Sequence, residues 1–244
     1  MILFGDITAR LLKEKRVNGF FVQKQAEPPT NFEVAAFDSA FNGKTAKKGG
    51  GRELPWGRWL VESLFPTFIY QEHGQNLRKL VSDPQVWKLE GFSGNDNNSF
   101  GRMARPREEV PEGFVNFMLD RWKGDYRGMP QYFFDVEYPE WVVAPLSGRP
   151  DVPKTGRTAV SCVMLYGFQW LNEQAHITIM LRHLNWSHAW GDVFGAEEAL
   201  RAICKELKLP KSAMGNVNIF ANSASMDEPQ AAKKYLKEIG YGIS

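Results

Sequence analysis

Two stretches decide the fold: Thr158–Tyr166, TAVSCVMLY, and Ala175–Arg182, AHITIMLR. The first is apolar and rich in β-branched residues, so it reads as a buried strand. The second alternates His176, Thr178, Met180 and Arg182 with Ile177, Ile179 and Leu181, the period of a half-buried strand. Between them Trp170–Gln174, WLNEQ, reads as the turn. An antiparallel hairpin centred on Asn172 pairs residues equidistant from it. Cys162 and Arg182 then stand opposite each other on one face, with Cβ atoms about 4.5–5.5 Å apart. A one-residue slip in the turn would separate them.

Downstream, Ala196–Leu207 (AEEALRAICKEL) has a helical stripe of Ala199, Leu200, Ile203 and Leu207. Glu197 and Glu198 sit near its expected positive end, and Pro210 follows its close. Val217–Phe220 reads as a last strand and Pro229–Ile239 as a terminal helix. Upstream, Leu54–Phe65, Asn76–Val81 and Glu112–Trp122 read as helices, and Tyr132–Pro153 as short strands and loops. Residues 39–52 read as a flexible Gly/Lys loop within a single domain spanning 1–244. Strands and helices are mixed around an antiparallel hairpin, so the predicted class is α+β.

Composition narrows the function. The chain has 244 residues and a net charge of +2, from 30 Lys+Arg against 28 Asp+Glu. A dedicated nucleic-acid binder shows a basic excess or stripe, which this balance opposes. Two cysteines, Cys162 and Cys204, exclude a disulfide scaffold and a cysteine-rich zinc site, and four histidines leave little room for a histidine metal cluster. No metal is therefore expected. No run approaches the roughly 18 to 20 apolar residues of a membrane span, and no signal peptide is recognisable, so a cytoplasmic setting is expected. Gly43-Lys44-Thr45 suggests a phosphate loop, but Asp38 stands where that motif needs its first glycine.

A thiol facing a guanidinium is chemically useful. The charge stabilises the thiolate, and the planar fork holds oxyanions, phosphate above all. The plain alternative is that Cys162 is a small buried hydrophobe. Cys204, near a helical stripe, reads as packing.

These residues resemble thymidylate synthase and its pyrimidine-hydroxymethylating relatives. That family places its nucleophilic cysteine twenty residues before a phosphate-binding arginine, the spacing of Cys162 and Arg182. Its arginine opens a segment that leads, through an Asn or Asp, into a long apolar helix. Here the segment is RHLNWSHAWGDVFGAEEALRAICKEL, with Asp192 at the Asn/Asp position. Arg52-Glu53-Leu54-Pro55-Trp56 resembles the family's Glu-Leu-x-Trp, closest to phage-type deoxycytidylate 5-hydroxymethylase. Trp87 and Ser99-Phe100-Gly101 resemble its Trp and Tyr-Gly pair, and Tyr126-Arg127-Gly128 its Arg-Arg segment.

The resemblance implies a thymidylate synthase-like fold: a mixed or antiparallel sheet with helices packed against it, dimerised about a two-fold axis through the sheet. It implies one-carbon transfer to carbon 5 of a pyrimidine nucleoside monophosphate, with 5,10-methylenetetrahydrofolate as donor, in the host cytoplasm if the chain is phage-encoded. Cys162 would attack carbon 6. Glu53 would relay protons, and Arg182 with the partner's Arg127 would hold the phosphate. His183 would stand in for the family's serine, and Asn185 occupies the place of an aspartate. Ser225 and Asp227 replace a sugar-binding His-x-Tyr. Trp87 and Phe100 would lie on the folate side, Phe100 in place of the family's Tyr.

Asp192 bears on the base. Cytosine offers an amino donor at carbon 4 and an unprotonated ring nitrogen at position 3, and a carboxyl that is protonated part of the time suits both. The alternative is that Asp192 caps the following helix. The favoured expectation is (deoxy)cytidylate 5-hydroxymethylation. The alternatives are methyl transfer to dUMP or dCMP, hydroxymethylation of dUMP, and a nucleotide-binding homologue with altered chemistry.

Overall fold

The computed structural model describes residues 4–47, 53–87, 100, 104, 106, 111–122, 131–135 and 163–242. In chain order the elements are α1 (Phe4–Glu14), β1 (Arg16–Gln25), α2 (Asn31–Ala40), β2 (Thr45–Lys47), β3 (Glu53–Pro55), α3 (Trp56–Leu64), α4 (Thr67–Glu72), α5 (Leu77–Ser82) and α6 (Pro84–Trp87). Then come α7 (Phe114–Trp122), β4 (Gln131–Asp135), β5 (Val163–Leu171), β6 (Gln174–Leu181), β7 (Leu184–Asn185), α8 (Trp186–Glu206), β8 (Met214–Ser225) and α9 (Pro229–Glu238). The main sheet runs β1-β8-β6-β5-β4, with β7 continuing the line of β6 along β8. The β6–β8 and β7–β8 pairs are parallel and the rest antiparallel, so the sheet is mixed. The class is α+β, as expected.

The hairpin forms where the sequence places it, but its turn is shorter. Asn172 and Glu173 both take positive φ, 52° and 60°, the signature of a two-residue turn matched to strand twist. That turn offsets the ladder by one from the expected pairing, as in Leu165↔Met180. A bulge between Val163 and Leu165 then absorbs one residue, so that Val163 pairs with Leu181. Those two are again equidistant from Asn172, one step short of Cys162 and Arg182. Cys162 itself lies outside the described residues, as does all of 136–162.

Helix α8 corrects a second expectation. It begins at Trp186, not Ala196. Asp192 is therefore inside the helix, and Asn185 holds the N-cap position. Glu197 and Glu198 lie mid-helix. Glu197 is buried and takes Lys24 Nζ at 3.3 Å and Arg201 Nη2 at 2.6 Å. The helix is buried on most sides, which hides its amphipathic period. Two glycines allow its crossing with α3: a Cβ on Gly191 would lie 2.6 Å from the Leu60 carbonyl oxygen, and one on Gly195 2.6 Å from Leu64 Cβ.

The core lies between the sheet and α1, α2, α8 and α9. Phe4, Phe37, Trp186, Trp190, Phe194 and Tyr235 interlock there, with Phe37 stacked on Trp190 at 4.4 Å. Cys204 joins this core, and burial pushes its thiol up to about 11, an inert cysteine as expected. The opposite sheet face is open. Register places Phe21, Phe220, Met180 and Leu165 in one row across four strands, and Phe21 and Phe220 are 44% and 43% exposed. The stretch 39–52, expected as a loop, contains in its described part the end of α2, a turn and β2, which pairs with β3. No described helix is long and apolar enough to cross a membrane.

Candidate active site

The break between β6 and β7 builds the site. Leu181 pairs with Ala221 and Leu184 with Ala224, so the register on β8 is the same before and after the break. Arg182 and His183 fill the gap beside Asn222 and Ser223. Arg182 is exposed. Immediately after β7, α8 starts, so its N-terminal turn stands beside the end of β8.

A closed hydrogen-bond network joins these elements. His183 Nδ1 lies 2.6 Å from Ser223 Oγ, and its Nε2 lies 2.9 Å from both Asn185 Oδ1 and Ser225 Oγ. Ser225 Oγ donates to Asn185 Oδ1 at 3.0 Å. With the proton on Nε2, His183 donates to Asn185 and accepts from Ser223, and the network is satisfied. Three residues expected from sequence, His183, Asn185 and Ser225, thus share one network. Ser223 was missed. It sits two residues before Ser225 on the same strand face, so the period-2 pattern could have flagged it.

Asp227 is engaged elsewhere. Its carboxylate accepts from the Ser187 backbone N–H at 2.9 Å and from Ser187 Oγ. It therefore caps α8, supplying the carboxylate that Asn185 does not. The capping role considered for Asp192 thus belongs to Asp227. The next residue, His188, neighbours Asp227, Lys44 and the Trp56 ring, whose centroid is 5.9 Å away. Burial lowers the His188 pKa; Asp227 opposes that shift and Lys44 adds to it. Lys44 Nζ lies 3.6 Å from the centre of the Trp56 ring, and Trp59 stacks on Trp56 at 5.0 Å.

Asp192 follows His188 by one turn, on the same side of α8. It retains some exposure yet is closely surrounded, and burial pushes its carboxyl up to about 7. No described residue donates a hydrogen bond to it. A carboxyl there exchanges its proton near neutrality and can both donate and accept.

The other expected residues are dispersed or undescribed. Glu53 is exposed on β3 and accepts from the Thr45 hydroxyl across the β2–β3 pair. Phe100, expected beside folate, is instead sealed in the core, edge-on to Phe65 at 4.9 Å and Tyr166 at 6.3 Å. An apolar ring needs no polar partner, so it packs inward. Trp87 ends α6. Cys162 and Arg127 lie outside the described residues. Among the described residues, no three His, Cys, Asp or Glu group as metal ligands.

No protein-family model matches the chain, and no curated protein matches it. Among solved structures, the chain is similar to the thermostable thymidylate synthase A from Bacillus subtilis. The two share 10% identity at a TM-score of 0.48, over 91% of this chain and 78% of that one.

Proposed function

We propose that the chain transfers a one-carbon unit to carbon 5 of a pyrimidine nucleoside monophosphate, with deoxycytidylate as substrate and a hydroxymethyl group as product. Asp192 carries this reading. It is a carboxyl inside a helix rather than at its cap, unpaired among the described residues, with its proton exchanging near neutrality. Such a group accepts from the cytosine amino group and donates to the ring nitrogen, whereas a fixed carboxylate would repel that nitrogen.

Cys162 is the proposed nucleophile. The pairing with Arg182 expected from the sequence supports this reading, since the guanidinium charge would favour the thiolate and its fork would suit the phosphate. Attack on carbon 6 makes carbon 5 nucleophilic toward the one-carbon unit of methylenetetrahydrofolate. Phe100 is enclosed, so the steps assigned to residues concern the nucleotide. His183 holds Ser223 and Ser225 in place at the sugar–phosphate end, and Arg127 of a second copy completes the phosphate grip. The open row Phe21–Phe220–Met180–Leu165 supports a two-fold dimer through the sheet.

A second reading, a nucleotide-binding homologue without this chemistry, draws on the closure of the network. His183, Asn185, Ser225 and Asp227 already satisfy one another or Ser187. The deciding experiment supplies dCMP or dUMP tritiated at carbon 5, with methylenetetrahydrofolate, to wild type and Cys162→Ser. Release from dCMP by wild type alone is expected. Release from dUMP only would overturn the Asp192 argument, and no release from either nucleotide would leave the homologue reading.

A further inference from the structure

A small pocket opens on the opposite stretch of α8, between α3, α4 and the last turns of that helix. Its volume is about 130 Å³, and its lining includes Arg58, Tyr70, Glu198, Arg201 and Lys205. At roughly 30 Å³ per water, that is room for about four waters or one tetrahedral oxyanion. Three cations and one carboxylate face it, so the lining is net positive.

Two buried donors there lack hydrogen-bond partners. Tyr70, only 9% exposed, has an unbonded hydroxyl, and so does the Arg201 Nε–H, which has a loose 3.7 Å contact with Glu198. Buried donors are seldom left without an acceptor. Of the nearby acidic groups, Glu198 makes the 3.7 Å contact with Arg201 Nε, and two others are already engaged. Glu62 accepts from Thr67 and the Phe68 N–H and lies 3.4 Å from Arg58; Glu206 accepts from the Leu77 N–H and pairs with Arg78. Burial and the charges of Glu206 and Glu198 push the Tyr70 hydroxyl up to about 12, so it remains a donor at any neutral pH.

We propose that this pocket is an anion site that takes a single phosphate group, with Tyr70 Oη and Arg201 Nε as donors and Arg58 and Lys205 as flanking charges. Arg201 is held for the task because Glu197 fixes its Nη2 at 2.6 Å. The site is separate from the nucleotide pocket. Tyr70 and Arg201 play no part in the one-carbon reading, and Arg201 is nine residues beyond Asp192, about 14 Å along the helix axis.

The test is calorimetric titration of inorganic phosphate into the full chain carrying Arg182→Ala, which removes the proposed nucleotide phosphate contact. Binding in the millimolar range or tighter is expected. Adding Tyr70→Phe, which keeps the ring, or Lys205→Met, at an exposed position, should each weaken it about tenfold. Circular dichroism identifies a variant that has unfolded, and the other variant then carries the test. Absence of phosphate binding in the Arg182→Ala chain, or binding unchanged by both substitutions, overturns the proposal. Tritium release at carbon 5 reads the other site and does not enter this result.

Discussion

Replacing Asp192 with Asn should change how stability depends on pH. The ordinary carboxyl value is 3.8, and in the folded chain burial raises it to about 7. Below pH 3.8 both folded and unfolded chains carry the proton, and there is no penalty. As pH rises the unfolded chain ionises first while folded Asp192 keeps its proton, so the folded state loses ground until Asp192 ionises near pH 7. Above that the penalty is constant. At about 1.4 kcal/mol per pH unit of difference the total is about 4 kcal/mol, of which about 2.5 kcal/mol accrues between pH 5 and pH 8. Asn has nearly the same shape and no titration. Urea unfolding of both proteins, followed by tryptophan fluorescence at pH 5, 6, 7 and 8, reads the difference. Asp192→Asn should gain on wild type by about 2.5 kcal/mol across that range. Groups common to both proteins, Glu197 and His188 among them, cancel in the comparison. Parallel curves would refute the claim that Asp192 is a desolvated carboxyl, and the argument for cytosine would fall with it.

Two further outcomes concern the frame that holds the site. Gly191→Ala puts a methyl 2.6 Å from the Leu60 carbonyl oxygen, so α3 must shift; a loss of about 1–3 kcal/mol is expected, and an unchanged urea midpoint would disprove the close crossing. Phe220→Glu places a charge beside Phe21 on the open sheet face; sedimentation should show a dimer for wild type and a monomer for the variant, with unchanged circular dichroism, and a monomeric wild type defeats the dimer proposal.

The hairpin was legible because β-branched content and strict alternation both belong to strands. Its register was half legible: the sequence shows where a turn must fall, but two residues at positive φ and a compensating bulge depend on strand twist and packing. The first half of α8 was missed for a different reason. WSHAWGDVFG places aromatics and glycines where a one-sided stripe is sought, yet a helix buried on most sides shows no stripe, and Gly191 and Gly195 serve contact with α3 rather than ending a helix. β1 also escaped notice, since Asn18 and Gly19 interrupt its pattern. At the site, His183, Asn185 and Ser225 were singled out only through the resemblance, the first two in the segment opened by Arg182 and the third at the place of a sugar-binding His-x-Tyr. The part of Asp227 was misread because its partner, Ser187, lies forty residues away in sequence.

The bulge near Val163 makes the two ends of the hairpin separately adjustable. Exchanging Asn172-Glu173 for another two-residue turn, Asn-Gly for example, alters how readily the hairpin closes but not which residue meets Leu181. Straightening the bulge at constant chain length would leave the turn intact and carry the ladder on as Met164↔Leu181 and Val163↔Arg182, a register shift of one. For anyone redesigning this chain, turn and bulge are independent controls, one over folding and the other over the identity of the residue presented to Arg182.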